Sequence, residues 1–237
     1  MRLHVIHSNI VEGTLPLSTT GQQALDILSR GERLAPDSAS SAAVAQLDAH
    51  LKAARFLSSK ADENLSPSIL LEAHAMLMEG AKDEHGQLLR HGFRDGVVHS
   101  NGREFLEASS IKGALGTAVD KYNAATVTDL HSAVRASAQL FTDVVHLIHP
   151  FWDGNGRLGR MLIAMSMQRQ LRFFLPMVNG HSNAHKKQNA VIVRMLRRVE
   201  DEAGPMRSHI LECVAHWQAT LRAASQLVPK EVPLVAS

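Results

Sequence analysis

Twelve consecutive residues, from His149 to Arg160, contain the side chains best suited to chemistry in this 237-residue chain. They read His-Pro-Phe-Trp-Asp-Gly-Asn-Gly-Arg-Leu-Gly-Arg. An imidazole titrates near neutral pH, so His149 can take a proton from a hydroxyl nucleophile. Asp153 supplies the oxygen ligand that Mg²⁺ prefers when the ion bridges two phosphates. The window therefore combines a general base with a metal ligand.

The second half of this window is suited to binding phosphate. Gly154 and Gly156 flank Asn155 and allow successive backbone amides to turn toward an anion, and a helix N-terminus follows them. Arg157 and Arg160 are three residues apart, so both guanidinium groups project from one face of that helix and can reach phosphate oxygens. The pattern predicts transfer of a nucleotide or phosphoryl group to a hydroxyl. The GxxxxGK[ST] sequence of P-loop enzymes does not occur.

Two other interpretations of the window are open. A His-x-x-His pair, His146 and His149, could bind zinc, although the glutamate of a metalloprotease helix does not accompany it. The second interpretation is a module that senses a nucleotide without catalysis. Binding alone would not need a general base such as His149. We assign no chemistry to the remaining histidines that we considered and expect surface or packing positions for His4, His7, His74, His91, His181, His185 and His209.

Helices must position the window. Apolar residues at three-to-four-residue steps predict a buried helix from Leu130 to Ile148, which ends because Pro150 disfavours a helical residue before it. The same spacing from Leu158 to Met165 predicts a second helix. The reactive residues therefore lie in and after a short connection between two helices.

Further elements are predicted around this pair. A Ser-Pro start at Ser66 and Pro67 predicts a helix that runs to Glu79, with Gly80 as the stop. Asn101-Gly102 between short apolar runs predicts a small β-hairpin with Val97-Val98 on one side and 104–106 on the other. The other helical candidates are 42–57, 109–122, 187–203 and 206–224, and the tail 229–237 is expected to be frayed.

Composition narrows the class of protein. The 25 basic and 23 acidic residues give a formal net charge of +2, which offers no electrostatic reason to expect a nucleic-acid partner. Cys213 is the single cysteine, so no intrachain disulfide can form, and we expect a core position for it. No apolar run is long enough to span a bilayer and the first twenty residues lack a signal-like core, so we expect a cytoplasmic protein without a membrane partner.

The window His149 to Arg160 resembles, throughout, the signature of Fic-domain proteins of the Fic/Doc superfamily, His-x-Phe-x-Asp/Glu-Gly-Asn-Gly-Arg-x-x-Arg. The resemblance implies a mainly α fold, a Fic-type helical domain with a short β-hairpin flap, over residues 1–237. It also implies a protein adenylyltransferase that moves AMP from ATP to a Ser, Thr or Tyr hydroxyl of a target protein, or of itself, and releases pyrophosphate. Removal of AMP, or transfer of another nucleotide, stays open. Many relatives carry a tyrosine pair near the nucleobase after the signature, whereas Lys186 to Val191 has no aromatic residue, so adenine is less firmly implied than phosphate binding.

The resemblance also implies roles by motif position. His149 would be the catalytic base, Asp153 would bind Mg²⁺ or Mn²⁺, and Phe151 would anchor the loop in the core. The residues implied for binding the phosphates of ATP are Gly154, Asn155, Gly156, Arg157 and Arg160.

Two more segments extend the resemblance. Gly92 to Leu106 is similar to the Fic flap, which pairs with an extended stretch of the target by strand addition. Its implied docking residues are Val97, Val98 and His99.

Near the N-terminus, residues 8–13 are similar to the inhibitory pattern Ser/Thr-x-x-x-Glu-Gly/Asn, with Ser8 and Glu12 in the defining positions. The implied ion pair of Glu12 with Arg160 would occupy the place of the γ-phosphate. In some relatives the equivalent glutamate instead orients a water that removes AMP from the target. Homodimers that hold the glutamate in place occur in the family, and this sequence leaves the oligomeric state open.

Overall fold

The computed structural model describes residues 1–11, 41–82, 86–89, 91–100, 103–177 and 203–227. Within these ranges the chain is mainly helical, with one short hairpin, which confirms the predicted fold class. The hairpin pairs β1 (His99–Ser100) with β2 (Arg103–Glu104) in antiparallel register. The α-helices are α1 (Arg2–Val11), α2 (Ser41–Ser59), α3 (Pro67–Leu77), α4 (Ile111–Asn123), α5 (Leu130–Phe141), α6 (Asn155–Leu171) and α7 (Gly204–Leu227).

Local signals explain where several helices begin. The Ser66 hydroxyl accepts a hydrogen bond from the Ile69 amide, and Pro67 occupies the first helical position of α3. Asp129 and Ser132 form a reciprocal capping box at the start of α5. The predicted helices at 42–57, 66–79, 109–122 and 206–224 are confirmed as α2, α3, α4 and α7 with shifted ends, and a 3₁₀ turn, Ala108–Ser110, precedes α4.

Helix α6 is the centre of the fold and carries the second half of the reactive window. It contacts α1, α2, α3 and α5, and every residue from Arg157 to Met167 is buried. Gly159 allows this close approach, because a Cβ there would lie 2.3 Å from Val145 Cγ2 and 2.8 Å from the Phe141 ring. The side chains from Arg157 to Met167 are therefore surrounded by neighbouring elements.

The predicted helix from Leu130 to Ile148 is only partly correct. Beyond Phe141 the chain forms a π-helical segment, Thr142–Ile148, with hydrogen bonds five residues apart. The His149 amide closes it by donating to the Val144 carbonyl at 2.9 Å. Three-to-four-residue apolar spacing over seven residues fits either hydrogen-bond pattern, so the sequence does not reveal the wider turns.

The predicted hairpin exists, but its strands lie closer to the turn than expected. Val97 and Val98 precede β1, although the Phe105 amide still donates to the Val98 carbonyl at 3.1 Å. Further out, the carbonyls of Gly96 and Leu106 accept hydrogen bonds from a side chain, that of Arg94. At these two positions the carbonyls bond the Arg94 side chain, and the paired strands extend only from the pair His99 and Glu104 to the pair Ser100 and Arg103.

Helix α1 was not predicted from the sequence. Its buried positions include His4, Ser8 and Asn9 beside Val5 and Ile6, so its inner face is half polar. An apolar stripe therefore does not mark the helix, and polar contacts hold part of it in place.

Residues outside the described ranges include Glu12, Asn101-Gly102, most of the predicted helix 187–203 and the tail 229–237. Within the described part, no helix is both long enough and apolar enough to cross a membrane. Cys213 is buried, as expected, and burial raises the pKa of its thiol.

Candidate functional site

The turn between the π-helical segment and α6 carries His149 at one end and Gly154 at the other. His149 has left-handed backbone angles, φ 50° and ψ 63°, which a residue with a Cβ adopts only when its surroundings hold it there. Gly154 has φ 81°, and a Cβ on it would lie 2.8 Å from Met78 Sδ. Both conformation and space therefore require glycine at that position.

The His149 ring is fixed by two contacts. Its Nδ1 lies 2.8 Å from the Val145 carbonyl oxygen, which can only accept, so Nδ1 carries the proton of the neutral ring. The Phe105 ring stacks on the imidazole with centroids 4.0 Å apart and planes 18° from parallel. Nε2 is then the nitrogen that carries the lone pair, as a general base requires.

Arg94 is a site residue that the sequence analysis missed. Its side chain is buried, and its guanidinium donates to the carbonyls of Gly96, Leu106, Ile148 and His149. It thus joins both ends of the flap to the turn that carries His149. The only sequence signal is an arginine between two glycines, which gives no indication of burial.

Helix α3 contacts the loop between His149 and Gly154 through His74. The His74 ring stacks on Phe151 with centroids 3.6 Å apart, and His74 Nε2 lies 2.9 Å from the Asp153 carbonyl oxygen. Burial lowers the pKa of His74 to about 4, so the ring is neutral at pH 7 and donates from Nε2. Phe151 is fully buried, in the core where the resemblance placed it, and His74 is a packing residue.

The Asn155 side chain closes the loop. Its Nδ2 donates to the Phe151 carbonyl at 2.8 Å and its Oδ1 accepts from the Phe151 amide at 3.1 Å. Because the carboxamide is used in this way and buried, only the backbone of Asn155 is available to an anion. The first amides of α6, at 155–157, have no acceptor within the helix.

Asp153 and Arg157 form the polar centre of the site. Arg157 Nη2 donates to Asp153 Oδ2 at 2.9 Å, and Asp153 Oδ1 accepts from the Gly154 amide. The Asp153 side chain is 49% exposed, whereas the Arg157 side chain is 3% exposed. Arg157 Nε and Nη1 have no hydrogen-bond partner among the described residues. A buried cation with two unused donors beside a half-exposed carboxylate fits an anion that arrives with a divalent cation.

Arg160 lies farther along α6 and points to α1. Its Nε donates to Ser8 Oγ at 2.8 Å and its Nη2 to the Ser8 carbonyl at 3.2 Å. The structure therefore brings Ser8 and Arg160 of the predicted inhibitory contact together. Glu12, four residues after Ser8, lies outside the described residues.

A second polar contact holds α1 against α2. Asn9 Nδ2 donates to the Val5 carbonyl at 2.8 Å and faces His50 Nδ1 at 2.9 Å. His50 Nδ1 is therefore the acceptor in a neutral ring. Burial lowers the pKa of His50 well below its ordinary value, with further lowering by the nearby His4, Arg160 and Arg157.

The predicted docking residues lie at the flap surface. Val97 is 54% exposed, His99 is exposed and Val98 is half-buried. Trp152, at 40% exposure, packs over Gly96, where a Cβ would lie 2.9 Å from the Trp152 ring. An exposed edge and apolar side chains thus border the turn that carries His149.

The described residues contain no group of three or more His, Cys, Asp or Glu side chains that could hold a metal ion by themselves. His146 is buried and packs edge-on against Phe141 at a centroid distance of 5.3 Å. A single carboxylate such as Asp153 suits Mg²⁺, which keeps waters and takes its other ligands from substrate phosphates.

Residues 64–167 match the model of the Fic/DOC family. This match spans α3 to α6 and includes the flap and the complete reactive window. No curated protein matches the chain significantly.

Solved structures of Fic proteins share the fold. A Fic family protein from Desulfovibrio desulfuricans has a TM-score of 0.68 at 18% identity, covering 98% of this chain and 67% of that one. A Fic domain containing signaling protein from Bacteroides thetaiotaomicron has a TM-score of 0.65 at 21% identity, with 95% and 84% coverage. Fic-1 from C. elegans has the same score and identity, and the present chain covers 62% of it. At these identities the likeness shows the fold.

Proposed function

Because residues 64–167 form a domain of the Fic/DOC family, we propose that the protein transfers AMP from ATP to a Ser, Thr or Tyr hydroxyl of a target protein. The observation that carries the proposal is the pairing of an oriented base with an anion site. His149 presents Nε2 from a turn that also carries Asp153, and Arg157 has two buried donor nitrogens, Nε and Nη1, without a partner among the described residues.

The chemistry assigned to these groups is as follows. His149 Nε2 takes the proton from the target hydroxyl, whose oxygen forms a bond to the α-phosphorus of ATP. The bond from that phosphorus to the bridging oxygen of the β-phosphate breaks, and pyrophosphate leaves with the electron pair. Mg²⁺ or Mn²⁺, bound by Asp153, would neutralise charge on the phosphates. Arg157, the amides at 155–157 and Arg160 would hold the phosphates in place.

We also propose that Glu12 restrains this activity by pairing with Arg160. Helix α1 contacts Arg160 through Ser8, and Glu12 follows Ser8 by four residues in the sequence. A carboxylate and a γ-phosphate would compete for the same guanidinium. In this proposal, residues 1–237 act as one unit, because α1 bonds Arg160 of α6 through Ser8 and the turn that carries His149 leads directly into α6.

The deciding experiment is labelling with ATP carrying a label on the α-phosphate, in the presence of Mg²⁺. We expect Glu12→Gly and Glu12→Gln both to raise labelling of the protein or of added target proteins, because each removes the carboxylate. The modified residue is then mapped by mass spectrometry. AMP, UMP and a phosphate group add different masses, so the same measurement identifies the transferred group.

Other outcomes separate the alternatives. Loss of AMP from a pre-modified target, without new labelling, would favour AMP removal. Binding of ATP with no covalent adduct from any nucleotide, even in Glu12→Gly, would favour a nucleotide-sensing module. Equal labelling in the wild type and in both Glu12 variants would disprove the inhibitory role of Glu12.

A further inference from the structure

Arg94 is buried, with 2% of its surface exposed, yet every hydrogen bond of its guanidinium goes to a backbone carbonyl. Nη1 donates to Gly96 and Nη2 to Leu106, which lie at the two ends of the flap. Nε donates to His149 at 2.7 Å, and Nη2 also donates to Ile148 at 3.2 Å. One side chain therefore bonds two segments that are separated along the chain.

The shape of a guanidinium is what makes this contact possible. Its five N–H donors lie in one plane and point in fixed directions, so it can bond carbonyls on several sides at once. A lysine ammonium at the same place could follow only part of this pattern. The cost of burying the charge is offset by four carbonyl dipoles directed at it.

Backbone and ring contacts extend the same junction. The Arg94 amide donates to the Pro150 carbonyl at 2.9 Å, and the Leu106 amide lies 3.4 Å from the Leu147 carbonyl. Phe105, one residue before Leu106, stacks on the His149 ring. The left-handed backbone of His149 is thus held by bonds to its own carbonyl and to both neighbouring carbonyls.

We propose that Arg94 is a positioning residue that holds the flap and the His149 turn as one rigid unit, so that a target hydroxyl docked on the flap meets His149 Nε2. The inference rests on the proposed function, because it assigns the flap to target docking. Arg94 does not contact the substrate itself. Its effect passes through the flap on one side and the turn on the other.

The partners of Arg94 predict which quantities it controls. None of its hydrogen bonds reaches Asp153, Arg157 or Arg160, so ATP affinity should not depend on it. The rate of transfer and the mobility of the flap should depend on it, since a displacement of about 1 Å at a reacting centre can cost about a hundredfold in rate.

The test compares Arg94→Lys with Arg169→Lys, both in the Glu12→Gly background. Arg169 is the matched control, because it also donates to two backbone carbonyls, those of Ala61 and Glu63, at a different face of the fold. Three quantities are measured: ATP affinity, the rate constant for α-label transfer, and hydrogen exchange of the Phe105 and Leu106 amides.

For Arg94→Lys we expect ATP affinity within about twofold of the reference, transfer slowed by about ten to a hundredfold, and flap amide exchange accelerated at least about tenfold. Arg169→Lys should leave all three unchanged. Unchanged flap exchange in Arg94→Lys would overturn the proposal, whatever happens to the rate. Faster flap exchange with an unchanged transfer rate would overturn it as well.

Two arms keep this test decisive. If the Glu12→Gly reference transfers no label, the proposed function has failed, and the exchange measurement alone still decides whether Arg94 holds the flap. If Arg94→Lys does not fold, the wild type is used: the Arg94 guanidinium protons should then be resolved by NMR and protected from exchange. Free exchange of those protons with solvent would reject the proposal.

Discussion

The bonds that fix the backbone of the turn carrying His149 differ from the bonds that hold α1, which depend more on pairs of side chains. In the turn, Arg94 and Asn155 donate to backbone carbonyls, and Asn155 also accepts from a backbone amide. In the α1 contact, two bonds join side chains, Ser8 with Arg160 and Asn9 with His50, and two more go to the backbone carbonyls of Ser8 and Val5. Backbone partners are fixed by the fold, whereas side-chain partners can change rotamer or charge.

This difference suggests a division of tasks within one domain. The groups that we propose as base and anion site are arranged in advance, which would lower the entropy cost of reaching a productive geometry. The segment that leads to Glu12 is attached through groups that a phosphate or a proton can compete for. Four predictions test this contrast, beginning with the largest effect.

Replacing His149 with alanine should abolish transfer in the Glu12→Gly background, with a loss of at least about a thousandfold, because it removes the oriented imidazole that we propose takes the hydroxyl proton. ATP affinity should stay within a few fold. The measurement is α-label transfer alongside ATP binding. His131→Ala, an exposed histidine on α5, is the control, and comparable activity in the two alanine variants would remove His149 from catalysis.

Replacing Asn155 with alanine should lower the free energy of unfolding by about 2–3 kcal/mol, because buried backbone groups of Phe151 lose both partners. Asn123→Ala is a close match, since Asn123 makes the same two bonds to the backbone of Leu65 at an exposed position. There we expect about 1 kcal/mol, because water can replace the carboxamide. Urea denaturation measures the free energy of unfolding of both variants. An equal decrease in the two would contradict the larger contribution that we assign to Asn155.

Acidification should weaken the α1 contact. The pKa of folded His50 is lowered, so the unfolded chain binds more protons below its ordinary pKa of about 6.5, and stability falls as the pH decreases through that point. A proton on Nδ1 would also face the Asn9 amide donor. We expect a loss on the order of 1 kcal/mol between pH 7.5 and 5.5.

The check on His50 is the variant His50→Gln, which offers Asn9 an acceptor but does not titrate. Its unfolding free energy should vary less with pH over the same interval. Identical pH dependence in the wild type and the variant would assign the effect to other groups.

Ser8→Ala should have the smallest effect. It removes the hydroxyl that accepts from Arg160 Nε but keeps the Ser8 carbonyl, so α1 should loosen by about 1 kcal/mol and α-label transfer should rise several-fold in the otherwise wild-type protein. Ser58→Ala is the control, since Ser58 bonds Gln168 of α6 from α2, far from the inhibitory segment. A fall in transfer after Ser8→Ala would argue against a restraining role for α1.

Much of the architecture was predictable because it depends on local signals. The Ser66 cap, the apolar spacing of α5 and α6 and the Asn-Gly pair in the sequence between the two strands are all signals that act within a few residues along the chain. The π-helical segment was missed because its spacing is ambiguous over two turns. Helix α1 was missed because His4, Ser8 and Asn9 replace apolar residues on its inner face.

The site divides in the same way. The reactive window is contiguous, so its order of residues was enough to predict a base, a metal ligand and two phosphate-binding arginines without any tertiary information. Arg94, His74 and Phe105 act on that window from distant positions, and the sequence offers no signal that a buried arginine bonds two ends of a hairpin. Such contacts depend on how segments pack, and local spacing carries no information about them.

By itself, the sequence determined the fold class and the approximate positions of the helices that flank the window, and it predicted which residues bind phosphate and move a proton. Those properties follow from residue type and short-range spacing. Only the tertiary structure decided which nitrogen of His149 carries the lone pair, that Asn155 is spent on the loop and that Arg160 meets Ser8. The first two depend on the path of the packed turn, which sets which backbone groups the side chains reach, and the third depends on how α1 packs against α6.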